Sequence, residues 1–238
     1  MPIVVGYSFY EIYVTSQRAF SAMGFPHGSD EDAAFIISWL ELNNFRGVSL
    51  LASSIKELDQ KYEGILDIED LSKTINFKNV SILMKGSGLI DFMLSKTVNK
   101  KKISVKIINC KKSILFLPLL YKISKKINYI TFSFCDSNNR LNTYELKNKK
   151  IIIKNKKNNK LLHNNEVIIE MQNSKENMNN INNNNKVISE KEIQKNLSRS
   201  LEPEVKSWNK ITKIANKTFV PESEESRNKG AGGGDAND

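Results

Sequence analysis

The sequence predicts an α+β fold: an N-terminal helical layer, a mostly antiparallel sheet, and a C-terminal helix with a Gly-rich tail. Apolar residues recur at helical spacing from residue 8 to residue 62. From about Val80 to Gln172, short apolar or alternating runs are joined by turns, as in an antiparallel sheet. Residues 173–186 then carry Asn at eight of fourteen positions, a composition that cannot bury enough apolar area to fold. The organisation expected is a core of helical layer plus sheet over residues 1–172, an Asn-rich linker or insertion over 173–188, and a C-terminal helix and tail over 189–238 packing on the same core.

Ser8 with Glu11 forms a capping box, and Phe9, Ile12, Tyr13, Phe20 and Met23 follow near helical period until Gly24 stops the helix. Ser29-Asp30-Glu31-Asp32 opens a second helix, its acids complementing the positive end of the dipole. Ala33, Ile36, Ile37 and Leu40 give its stripe, and Asn43-Asn44 ends it. Leu51, Ile55, Leu58 and Tyr62 mark a third helix, ending by Gly64. Ser81–Met84 reads as a strand, Gly86-Ser87-Gly88 as a tight turn and Leu89–Lys96 as a short helix. Ile103–Asn109 alternates as a strand, whereas Pro118 leaves Ser113–Lys126 open between strand and helix. Asn128–Phe134 and Leu141–Leu146 read as a hairpin around Asp136–Asn139, with further strands at Lys150–Lys154 and Glu166–Met171. Ser189–Leu197 is a short helix. Pro203–Lys217 is a longer one, with Val205, Trp208, Ile211 and Ala215 on one face.

The longest apolar run, Ile114–Tyr121, is interrupted by Pro118 and falls far short of the roughly 20 residues of a membrane span. The N-terminus has no basic segment and too short an apolar stretch for a signal peptide, so a cytoplasmic protein is expected. Cys110 and Cys135 lie in strand-like segments and read as two buried thiols in a reducing compartment. Two Cys and two His, scattered, do not make a zinc site, and neither metal nor cofactor is expected.

The formal charge of +10 is uneven. Residues 1–96 hold 8 basic and 12 acidic side chains, residues 97–165 hold 17 basic and 2 acidic. Such a stripe attracts polyanions. All but one of its cations are Lys, however, and base readers favour Arg. The Lys is also mixed with Asn and Ile, the composition an A+T-rich genome produces without selection for a partner. Nucleic acid is therefore disfavoured.

Gly86-Ser87-Gly88 meets neither phosphate-loop pattern, since Asp91 and Phe92 follow. His27 with Asp30 could exchange protons with a substrate, but His27 lies in the loop Phe25-Pro26-His27-Gly28, where a solvated side chain is the simpler reading. The tail has the most chemistry. Glu222, Ser223, Glu224, Glu225, Ser226 and Arg227 bring carboxylates, hydroxyls and a cation together, followed by Gly230, Gly232, Gly233 and Gly234. Pro221 and the three Glu suit a capped helix start. The sharper reading folds the tail over a cleft, with Arg227 and the N–H groups of Gly230–Gly234 holding an anion and Phe219 anchoring it.

Two stretches together resemble a known family. The first is Ser8-Phe9-Tyr10-Glu11-Ile12 through Gly24-Phe25-Pro26-His27-Gly28, then Asp32-Ala33-Ala34 and Trp39-Leu40. The second is Phe219-Val220-Pro221-Glu222-Ser223-Glu224-Glu225-Ser226-Arg227 with Gly230-Ala231-Gly232. They resemble the bacterial family catalogued as domain of unknown function 3726, which implies no assigned activity and no catalytic residues. The N-terminal helices are also similar to those of the type-2 malate/L-lactate dehydrogenases, where a helix leads through a Gly-containing loop to an acidic helix start and then Arg-Gly. Here the chain reads Arg46-Gly47-Val48-Ser49-Leu50. The dehydrogenases continue with Asp, Ser, His and Gly, of which this chain lacks the Asp and the His, and its length is short for their cofactor domain. This likeness implies shared helical packing.

The leading expectation is a non-catalytic accessory or small anionic-ligand-binding protein of bacterial metabolism, its partner an anionic metabolite or another protein. Its ligand candidates are Glu222, Ser223, Glu225, Ser226, Arg227, Gly230 and Gly232. The alternative is an enzyme acting on a small carboxylated metabolite, with Arg227 as clamp and Glu222, Glu224 or Glu225 as base. A third is a nucleic-acid binder through residues 97–165.

Overall fold

Each helix of the N-terminal layer starts where the sequence supplies partners for its first N–H groups. The computed structural model describes residues 6–68, 71, 74–136, 138–157, 162–173 and 186–219. α1 (Phe9–Ala22) begins on the Ser8–Glu11 capping box: Ser8 Oγ accepts from the Glu11 N–H at 3.1 Å and Glu11 Oε2 accepts from the Ser8 N–H at 2.7 Å. α2 (Ser29–Leu42) carries Asp30, Glu31 and Asp32 in its first turn. Asp30 is buried and accepts from the Ser21 hydroxyl of α1 at 2.7 Å, tying the two helices together. α3 (Gly47–Leu58) begins one turn before Leu51, the first residue of the expected stripe, and ends at Leu58, short of the expected Tyr62; a carboxylate of α2 caps its start, where Glu41 Oε2 accepts from the Val48 N–H at 2.9 Å.

The expected strand at Ser81–Met84 and the turn at Gly86–Gly88 are both absent. An 18-residue helix, α4 (Ile82–Asn99), runs through them, with the Ser81 hydroxyl accepting from the Leu83 N–H. Glycine inside a helix costs up to about 1 kcal/mol against alanine, and here packing offsets it. A Cβ on Gly86 would lie 2.7 Å from Ile82 Cγ2 and 3.1 Å from Leu119 Cδ1, so the missing side chain lets the next helix close in. That helix, α5 (Leu117–Ile123), follows a 3-10 turn over Ser113–Phe116. Pro118 sits in its first turn, where no N–H is needed, which settles the segment as helical.

The strands are β1 (Ile75–Asn76), β2 (Lys102–Ile108), β3 (Tyr129–Cys135), β4 (Arg140–Lys147), β5 (Lys150–Lys157), β6 (Val167–Gln172) and β7 (Lys186–Ile188). They form one sheet in the order β1-β2-β6-β3-β4-β5-β7, antiparallel at every pairing except β1 with β2. β1 and β7 are the sheet's edges and were not anticipated: at two and three residues they are too short to show alternation. Register places Ile103, Val105 and Ile107 of β2 beside Met171, Ile169 and Val167 of β6, then Ile130, Phe132 and Phe134 of β3. All of these but the half-buried Phe134 are buried, and they form the core with Phe116 and Phe77. Cys110 falls just past β2; it and Cys135 are both buried.

Part of the basic stripe is paired on the opposite face. Lys102 pairs with Glu170 at 3.5 Å, Lys106 with Glu166 at 3.1 Å and Lys154 with Glu145 at 2.5 Å. Glu166 and Glu170 lie just beyond residue 165, so a count ending there overstates the charge that the sheet presents.

α6 (Glu190–Leu197) starts on a second capping box, Ser189 with Glu192. α7 (Val205–Ala215) packs on α1 and α3 through Trp208, Ile211 and Ala215. Val205, expected on that face, is 71% exposed, since the first turn overhangs the contact.

Hydrogen bonding fixes a direction for pH dependence. Backbone and hydroxyl donors of Ser8 and Ser189 hold Glu11 and Glu192 below the ordinary 4.5, and the Ser207 and Ser49 hydroxyls do the same for Glu204. Asp136 and Glu166 are raised by burial, but N–H donors from Arg140 and His163 outweigh it and both end below their ordinary values. With folded values below unfolded ones, the unfolded chain binds more protons at low pH. The stability from these groups is therefore present above about pH 4.5 and lost as pH falls through their folded values. Urea midpoints taken from pH 6 to pH 3 should fall below pH 4.5; a flat or rising midpoint would contradict the bonds named.

Candidate functional site

The turn from α2 to α3 is tight. Asn44 and Arg46 adopt left-handed backbone, at φ 63° and 52°. Gly47 then brings α3 against α2 so closely that a Cβ would lie 2.0 Å from the Ile37 carbonyl oxygen. A second segment faces this turn. Leu201 exchanges two backbone hydrogen bonds of 2.8 Å with Tyr7, and the Tyr7 ring packs on Trp208 with centroids 4.4 Å apart. Arg199 Nη2 donates to the Leu42 carbonyl and to Asn44 Oδ1, both at 3.1 Å.

Between turn and segment lies a cleft of about 540 Å³, lined by Glu41, Asn44, Arg46 and residues 199–202. Its charged lining residues are Arg46, Arg199, Glu41 and Glu202. Arg46 makes no ion pair among the described residues. Burial raises the Glu41 carboxyl above its ordinary value, against the Val48 N–H and the Arg46 charge, which lower it. A second cleft of about 440 Å³ shares Asn44 and Arg199 with the first and adds Asn43, Lys186, Glu192 and Lys195. A third, of about 530 Å³, lies near β1 beside the buried Lys85, which is paired with Glu63 at 2.5 Å. Among the described residues no cluster of three His, Cys, Asp or Glu could hold a metal ion, and no helix is long and apolar enough to cross a membrane.

The residues singled out in the tail, Glu222, Ser223, Glu225, Ser226, Arg227, Gly230 and Gly232, lie outside the described residues. Phe219, the proposed anchor, is the last residue before them; its ring lies under the Arg18 guanidinium at 4.9 Å. His27 is 87% exposed and stands 4.0 Å from Asp30, a solvated side chain at a helix start. Burial pushes the Cys110 thiol up to about 12, so it is no nucleophile at neutral pH.

Sequence reasoning missed Arg46, Arg199 and Glu41. A signal was there: the chain has only five arginines against thirty-one lysines. A guanidinium presents a planar fork that a lysine does not, so the few arginines of a lysine-rich chain were the cations to weigh for carboxylate recognition.

The fold is that of a group of dehydrogenases. The chain is similar to the malate dehydrogenase of Entamoeba histolytica, with TM-score 0.60 at 7% identity over 92% of this chain and 99% of that one. It is similar to a putative malate/lactate dehydrogenase of E. coli, with TM-score 0.59 at 8% identity over 92% and 96% of the two chains. The sulfolactate dehydrogenase of Methanocaldococcus jannaschii gives TM-score 0.59 at 8% identity over 90% and 97%. The likeness thus runs through the sheet as well as the N-terminal helices to which the sequence confined it. No curated protein matches the chain. Residues 7–103, from before α1 into β2, match the family model described as "Protein of unknown function (DUF3726)".

Proposed function

We propose that the protein binds a small carboxylate in the first cleft, on the Arg46 and Arg199 guanidiniums, as a binding protein that carries out no reaction on it. The observation that carries this is the meeting of two of the chain's five arginines on one cleft of about 540 Å³. A guanidinium fork matches a carboxylate with two parallel hydrogen bonds, and hydrogen bonds to charged groups contribute about 1.5–3 kcal/mol. The structural neighbours add an expectation of ligand size, since malate, lactate and sulfolactate are all small carboxylates. Against turnover, the chain after Arg46-Gly47 runs Val48-Ser49-Leu50-Leu51, and Leu51 is fully buried. The Asp and His found in the dehydrogenase pattern are missing there.

One observation favours a second reading, an enzyme acting on a small carboxylated metabolite. The raised Glu41 carboxyl lines the same cleft as the arginines, and perturbed acids in clefts are candidates for proton transfer.

Titration calorimetry of the full chain with malate, lactate and succinate separates these readings. Arg46→Ala should weaken the bound acid at least tenfold, about 1.4 kcal/mol, and Arg46→Lys should restore only part of it. Truncation after Phe219 should leave affinity unchanged. If truncation abolishes binding and Arg46→Ala does not, the anion belongs to Arg227 and the Gly230–Gly232 run. Product formed from a bound acid, and lost on Glu41→Gln, would replace the binding reading with the enzymatic one.

A further inference from the structure

The first cleft carries a carboxylate of its own. Glu41 lies in the last turn of α2, half-buried, and its Oε2 accepts from the Val48 N–H at 2.9 Å. That is its one hydrogen bond among the described residues, where it makes no ion pair either. Oε1 is not sealed in the fold without a partner; it keeps solvent contact, and Glu41 lines the cleft of about 540 Å³.

The surroundings decide which form of this carboxyl a bound anion selects. Burial opposes its ionisation most strongly and holds it above its ordinary value, against the Val48 N–H and the Arg46 charge. The end of a 14-residue helix, where the macrodipole is negative, also disfavours an anion. A ligand carboxylate on Arg46 adds a like charge to the same cleft and engages the cation that favours ionised Glu41. Two carboxylates sharing a site raise the proton affinity of one of them. The other acids and bases around the cleft are differently placed. Arg199 donates to the Leu42 carbonyl and Asn44, and Glu202 on the facing segment is exposed. Glu204, ahead of α7, is held low by the Ser207 and Ser49 hydroxyls. Of the three carboxylates, Glu41 combines burial with an oxygen left over for a ligand.

We propose that carboxylate binding in the first cleft is proton-coupled: Glu41 takes one proton from solvent as the ligand seats, and its Oε1–H donates to the ligand carboxylate. This rests on the carboxylate reading above and adds to it the group that makes the site respond to pH. Oε2, then the carbonyl oxygen of a neutral acid, continues to accept from the Val48 N–H, so the cap of α3 is kept. An O–H donor to an ionised acceptor is among the stronger hydrogen bonds, and it replaces the repulsion that two carboxylates would feel.

The test is titration calorimetry of the full chain with lactate between about pH 5 and pH 8, where an ordinary carboxylate stays ionised. The association constant should fall by about threefold or more as pH rises over that range, with a limit of about tenfold per pH unit where a whole proton is taken up. Runs in two buffers of unlike ionisation enthalpy should show that proton leaving the buffer on binding. Glu41→Gln keeps an acceptor for the Val48 N–H and a donor for the ligand at every pH, so its binding should be flat with pH and take up no proton. Glu202→Gln should keep the slope. A wild-type constant that is flat, with no proton uptake, would overturn the proposal and leave the carboxylate reading standing, provided Arg46→Ala still weakens lactate. A slope that survives Glu41→Gln would assign the proton to another group and overturn the proposal as well. Absence of lactate binding at every pH would overturn both readings. If Glu41→Gln does not fold, proton uptake by the unaltered protein and by Glu202→Gln decides.

Discussion

Gly47→Ala is expected to lower the unfolding free energy by about 3 kcal/mol or more, at the upper end of overpacking costs. The added Cβ would stand 2.0 Å from the Ile37 carbonyl oxygen and 3.0 Å from the Glu41 nitrogen. Both are backbone atoms of α2, so no rotamer change relieves the clash and one helix must move against the other. At about 2–4 °C per kcal/mol for a chain of this size, the melting temperature should drop by roughly 6–12 °C. Gly28→Ala is the control. Gly28 has φ 85° and ψ −45° but nothing within 4 Å of its missing Cβ, so alanine there meets only the cost of a sparsely populated backbone conformation, roughly 1–3 kcal/mol. The Gly47 effect should exceed it in calorimetric scans; equal drops would mean that close helix approach contributes nothing. Gly47 also sets Arg46 and the Val48–Glu41 bond, so a Gly47→Ala protein that still folds should bind carboxylate more weakly.

How far the sequence revealed this arrangement depends on what each signal measures. Capping boxes at Ser8–Glu11 and Ser189–Glu192 are local, and both helix starts fall where they point. Strands β2 to β6 showed themselves by alternation or by turn chemistry, because one face of the sheet is buried against helices and the other is wet. α4 was misread because Gly86 and Gly88 look like a turn to local propensity. Only the arrival of α5, brought against Gly86 by the tertiary fold, shows why glycine belongs inside that helix. The cleft was hidden for a similar reason. Arg46 and Arg199 stand 153 positions apart in sequence, and nothing local marks them as neighbours. The tail drew notice because its residues are contiguous, which is the one property that a site assembled from distant segments does not have.

Trp208→Ala should cost about 3–5 kcal/mol, the usual range for deleting a buried aromatic. Trp208 is 8% exposed and belongs to the buried face of α7. Its ring packs on Tyr7 at a tilt of 39°, and the Tyr7 N–H and carbonyl are both bonded to Leu201. Trp208 therefore does more than fill volume. It fixes the strap formed by Tyr7 and Leu201, and that strap places Arg199 against Leu42 and Asn44 as the wall common to both clefts. Loss of the ring should lower stability and carboxylate affinity together, whereas Trp208→Phe should recover most of both by keeping an aromatic against Tyr7. A Trp208→Ala protein with reduced stability but unaltered affinity at a temperature where it is fully folded would separate α7 from the cleft and show that Arg199 is held by its own hydrogen bonds alone.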